Sequence, residues 1–160
     1  MIMIRPSVVL ILAFLIALSA SAESVTPREG WRVIPTEQSY SELLGSVRQA
    51  VKEEGMAVVT DVGPTEVAAQ RGEVIPGNRV LGVFRNDFAV RAIRANVPAM
   101  IEAPIRFYVT EEENGTATLS WKTPSHVFAP YLESGGAELK AVAEELDGIF
   151  EAIGSTATQK

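Results

Sequence analysis

The dipeptide Asn114-Gly115 constrains the fold of this chain more than any other feature. Two runs rich in β-branched and aromatic residues flank it, Ile105 to Glu112 and Thr116 to Thr123. Asn-Gly supplies the positive φ angles that a two-residue hairpin turn demands, so the runs read as neighbouring antiparallel strands. A sheet that contains this hairpin is not wholly parallel, which removes the doubly wound folds.

The remaining pattern alternates strands with helices. Trp31 to Thr36 reads as a first strand, held to an edge or an end by Pro35. Ser39 with Glu42 spells a capping box, Leu43, Leu44, Val47, Ala50 and Val51 fall on one helical face, and Gly55 closes that helix. Met56 to Val62 is a strand, and a short helix follows Gly63-Pro64. Arg79 to Phe84 is a strand in which Gly82 marks a close backbone approach or a bulge. Asn86 or Asp87 is the expected cap of a helix with Phe88, Ala89, Ala92 and Ile93 inward, ended by Val97-Pro98. After the hairpin, Pro124 to Gly136 reads as a loop, Ala137 to Ile153 as an amphipathic helix, and residues 154–160 as a flexible tail. The order β-α-β-α-β-α-β-β-α predicts an α+β fold. Its sheet is expected to be mixed and mainly antiparallel, with helices packed on it, in one domain spanning residues 31–153.

Residues 1–22 stand apart from that domain. Arg5, the unbroken apolar run Val8 to Leu18 and the small exit Ala20-Ser21-Ala22 have the three-part build of a secretory signal peptide. Cleavage near Ala22 would release a chain starting at Glu23 into the periplasm or the medium. The apolar run is shorter than the roughly 20 residues of a spanning helix, so stable membrane insertion is not expected. The chain has no Cys, so the domain must hold together by its core, and thiol nucleophiles and thiolate metal sites are excluded. With one His, a multi-histidine metal centre is excluded as well.

Without Arg5 the net charge falls from −6 to −7, which argues against nucleic acid as a partner. The stretch from Arg71 to Arg106 runs the other way, with six arginines against three acidic residues. Within it a strand feeds a helix N-terminus, an arrangement that suits anions. Arg79, Arg85, Asn86 and Arg91 are therefore the ligand-binding candidates, facing a small anion or an acidic partner. Against them, Asp87 puts a negative charge where the anion would sit, and no Gly-rich phosphate loop is present. His126, beside Phe128 and Tyr131, completes the candidate list. Its sequence neighbour Ser125 is poorly placed for a proton relay. Met56, Met100 and His126 form a conceivable copper(I) set, but core filling explains the methionines. Glu111-Glu112-Glu113 borders the hairpin turn, where charges are solvated and guard the edge. No catalytic residue, metal or cofactor is assigned.

The stretch NRVLGVFRNDFAVRAIRANVPAMIEAPIRFYVTEEENG, residues 78–115, resembles the centre of domain-of-unknown-function family 302. Arg79-Val80-Leu81-Gly82, the helix positions Ala89, Arg91, Ala92 and Ile93, and Pro104 before the next strand carry the likeness. The flanking elements fall in the same order, from about Trp31 to Ile153. The resemblance implies a compact α/β domain, often exported, dimeric and without assigned activity. It also exposes departures. Phe84-Arg85-Asn86 stands where the family pattern has Cys-Asn-Pro, Val90 where His is frequent, Ile105 where Cys often follows the proline, and Met100 where Gly stands. Any metal or redox chemistry of those groups would be lost here. The sequence thus favours a non-catalytic, homodimeric ligand-binding or protein-interaction module. The alternative is an enzyme that uses His126 with a nearby carboxylate.

Overall fold

The computed structural model describes residues 24–159, and the expected signal segment lies outside them. Five strands are formed by Trp31–Ser39 (β1), Ala57–Val62 (β2), Asn78–Phe84 (β3), Ile105–Glu111 (β4) and Thr116–Lys122 (β5). They make one sheet in the order β1-β5-β4-β3-β2. All four pairings are antiparallel, so the parallel component allowed for a mixed sheet is absent among the described strands. The fold is α+β, as the hairpin requires. Gly115 takes positive φ but Asn114 does not, and four residues, 112–115, separate the strands, so the connection is longer than the expected two-residue turn.

Alternation along the strands decides where the core lies. Leu81, Val83, Phe107, Val109, Ala117, Leu119 and Trp121 are buried on one face. Against that face pack the helices Tyr40–Glu53 (α1), Asn86–Ala95 (α3) and Leu132–Thr158 (α5). The short helices Thr65–Gln70 (α2) and Pro124–Phe128 (α4) lie between strands and helices in the chain. The capping box of α1 forms as read: the Glu42 amide donates to Ser39, and the Ser39 amide donates to the Glu42 carboxylate at 2.9 Å. Gly82 is also as anticipated, since a Cβ there would collide with the Thr60 hydroxyl and Pro104. Opposite it the register of β2 slips between Val58 and Thr60.

Three further expectations are corrected. The N-cap of α3 is Arg85, in extended backbone, and neither Asn86 nor Asp87 caps it; the Asp87 carboxylate instead takes the Arg85 guanidinium. The segment from Pro124 is helical rather than a loop, because the proline that ends β5 is also a favoured first residue of a helix, and Thr123 caps it through the His126 amide. The segment after Ile153 is no frayed tail, for α5 runs to Thr158. Its low helix propensity is overridden by packing. Gly154 lets the Trp121 indole lie against the helix, Ala157 is fully buried, and the Gln38 side chain donates to the Ala157 carbonyl at 2.7 Å. The expected start at Ala137 reflects a real break, since Gly136 (φ 61°) leaves helical geometry within α5.

The Gly154 contact yields a stability prediction. Gly154→Val would drive a side chain into the buried Trp121 ring. Urea unfolding should show a loss of about 1–3 kcal/mol, the usual cost of overpacking. Gly148→Ala, at a helical position with open space, should cost nothing or stabilise slightly.

Candidate functional site

The arginine candidates separate into two places. Arg79 is the second residue of β3 and Arg85 follows its end, about 20 Å away by strand rise. Arg79 pairs with Glu66 and with Asp61, which Arg48 also holds at 2.8 Å. Its Nε and the Tyr40 hydroxyl are buried without a well-formed hydrogen bond. The hydroxyl is nonetheless the largest influence raising the pKa of Arg79, ahead of Glu66 and Asp61. This cluster ties α1, β2, α2 and β3 together.

Arg85 and Arg91 do come together, both near the ring of Phe88. Their guanidiniums lie 4.3 and 5.7 Å from the Phe88 ring centroid. Arg85 forks onto Asp87 at 2.8 and 3.2 Å. Arg91 takes both oxygens of Glu145 at 2.8 Å and one of Glu138 at 2.7 Å. Glu145 is held below the ordinary carboxylate range chiefly by Arg91, and Asp87 chiefly by Arg85. Asn86 is exposed on the first turn of α3. The forks that suit an anion are therefore filled by the chain's own carboxylates.

His126 lies elsewhere, exposed on α4, with its ring pressed on Gly30 where no Cβ would fit. Among the described residues its ring makes no hydrogen bond to a carboxylate. Met56 and Met100 line a small apolar cavity of 40 Å³ that His126 does not reach. Phe84, Arg85 and Ile105 line the same cavity, so positions at which the chain departs from the family pattern converge in space. Apolar side chains and the Arg85 stem fill the place.

A different site stands on the open face of the sheet. Register aligns Val33, Ser120, Tyr108, Val80 and Val62 in one row across the five strands. Trp31 and Lys122 pair in the row beside it, which Arg106 joins from β4. Over these rows runs a groove of 430 Å³. Trp31 walls one side, and Glu102 and Val127 contribute from the segment before β4 and from α4. Glu102 is fixed by the Tyr131 hydroxyl, which donates to it at 2.8 Å and whose pKa it raises. Lys122 lies 5.4 Å from the Trp31 ring centroid, and Arg28 lies 4.9 Å from it. Among the described residues, Arg28, Arg106 and Lys122 have no carboxylate within ion-pair distance. The groove thus holds two cations without ion pairs beside aromatic rings, with Glu102 held by Tyr131. Sequence reasoning missed it, although the period-2 pattern of β4 and β5 puts Arg106, Tyr108, Ser120 and Lys122 on one face.

The family model for the domain of unknown function DUF302 matches residues 33–153. The chain belongs to the DUF302 family. Among solved structures it is similar to an uncharacterised conserved DUF302 protein from Bacillus stearothermophilus. That likeness has a TM-score of 0.70 at 18% identity and covers 81% of this chain and 99% of the other. At that identity it shows a shared fold. No curated protein matches the chain. Among the described residues no helix is long and apolar enough to cross a membrane.

The ion-pair network of this DUF302 domain makes a pH prediction. Glu145 sits below its ordinary value of 4.5 in the folded state. A depressed folded pKa contributes stability above the unfolded value, and the contribution disappears as pH falls through the folded one. Arg91→Ala should therefore lower the melting temperature at neutral pH. The gap to wild type should close as pH drops below 4.5. A gap that stays constant into acid would mean that the arginine acts through packing on Phe88 rather than charge.

Proposed function

We propose that this DUF302 protein is an exported, non-catalytic binding module that holds an anion in the groove on the open sheet face. One observation carries the reading: the contrast in charge pairing between the two arginine-bearing surfaces. Arg79, Arg85 and Arg91 spend their hydrogen bonds on Asp and Glu side chains. Arg106 and Lys122 face a 430 Å³ groove and, among the described residues, form no ion pair, although Glu102 also lines the groove. Unpaired cations in a concave, partly apolar wall attract anions more strongly than the same charges on an open surface. On an acidic chain, a groove that gathers unpaired cations directs anions to that place. The enzyme alternative loses ground because the His126 ring is set against Gly30 with no carboxylate to orient it.

Titration with benzoate, followed by calorimetry, tests the site. The double variant Arg106→Ala/Lys122→Ala should weaken binding at least about tenfold, equivalent to ~1.4 kcal/mol. Arg85→Ala/Arg91→Ala should leave it unchanged. The opposite pattern, or no binding by wild type, would overturn the reading.

The proposal includes export with loss of residues 1–22 and assembly as a homodimer. The edge strand β2 supports the second part. It carries no Lys or Pro and exposes Val59 and Val62 at 52% and 60%. The opposite edge, β1, has Pro35 and the Arg32–Glu151 ion pair at 3.1 Å. Asp61 and the register slip between Val58 and Thr60 guard this edge in part, but its exposed valines still offer a surface for pairing with another strand. Native mass spectrometry of protein from the exported fraction should give two chains, each beginning at Glu23. A chain beginning at Met1 would contradict cleavage, and a single chain would contradict the dimer.

A further inference from the structure

We infer that the groove takes a free, elongated carboxylate with an apolar body, about 13 Å from its charged head to its far end. This deepens the binding reading above and rests on it. The groove is not uniform along its length. Arg106 and Lys122 lie on adjacent strands at one end, on the row shared with Trp31. Two residues further along the strands the floor becomes Tyr108 and Val80, which are cross-strand partners. Two more residues bring the row of Thr110 and Asn78. Four residues of strand at about 3.3 Å each span roughly 13 Å. Among the described residues the Asn78 carboxamide makes no side-chain hydrogen bond, so it is free to meet a polar far end.

The head end favours one negative charge. It offers one guanidinium fork and one ammonium, and Glu102 lines the same groove. A planar carboxylate fits the arginine fork through two parallel hydrogen bonds, and the lysine supplies a point charge beside it. A second negative charge would face Glu102. The middle is a half-buried phenol ring and a valine, suited to an aromatic ring or an alkyl chain. A volume of 430 Å³ lies in the range of small-molecule sites, roughly 300–1,000 Å³, which favours a free molecule over a folded partner.

Calorimetry with three probes tests this on the intact protein: 4-phenylbutyrate, acetate and 4-phenylbutanol. The first should bind at least about tenfold more tightly than either of the others. Val80→Asp should abolish its advantage over acetate, whereas Arg106→Ala should abolish its advantage over the alcohol. Circular dichroism checks that both variants keep the fold. If acetate binds as tightly as 4-phenylbutyrate and both depend on Arg106, the elongated ligand is wrong while the anion groove stands. If none of the charged probes responds to Arg106→Ala, the groove reading itself falls. If the alcohol matches the acid, the body is right and the carboxylate head is wrong.

Discussion

The rest of the structure depends on the stack of three aromatic rings between sheet and helix. Phe107 of β4 lies 4.7 Å from the Phe150 ring at 14° and 5.3 Å from the Trp121 ring at 59°. The first pair is a stacked contact from strand to helix, the second a tilted contact between adjacent strands. All three rings are buried. They clamp α5 across β4 and β5, and Gly154 leaves room for the Trp121 ring against the helix. Because α1 and α3 pack beside α5 on the same face, the other face of the sheet receives no helix layer. An antiparallel sheet tolerates this, since one of its faces can meet water. The groove follows from that asymmetry: it is the surface left when every long helix is committed to one side.

Much of the fold was legible because it is encoded locally. The Ser39–Glu42 capping box and the chain reversal at Asn114-Gly115 each involve residues close in sequence. The segments misread were governed by distant partners. Residues 154–158 look like a tail because Gly, Ser and Thr are poor helix formers, yet Trp121 and Gln38, far away in the chain, hold them in α5. The stretch from Pro124 looks like a strand stop, which it is, but the same residue starts α4.

The candidate site was harder to read for the same reason. Along the sequence, Arg79, Arg85 and Arg91 stand out as a basic cluster. In space, carboxylates 47 and 54 residues away from Arg91 fill its fork, and Asp61 and Glu66 hold Arg79. Arg106 and Lys122 look unremarkable in sequence, one beside a proline-led strand and one at a strand end. Register alone sets them across from each other and next to Trp31. A positive charge matters for binding when it lacks a partner, and partners are a property of the tertiary structure. The departures from the family pattern converge too: Phe84, Met100 and Ile105 line one apolar cavity together with Arg85.

The most direct test of the account is a two-dimensional ¹H–¹⁵N spectrum of the labelled protein recorded with and without a bound aromatic carboxylate. The account predicts shifts confined to the open face, at Val80, Arg106, Tyr108, Ser120 and Lys122, with the Trp31 indole moving as well. Shifts centred on Asn86 to Arg91 and on Glu145, with the β4–β5 face unchanged, would contradict it and return the site to the start of α3.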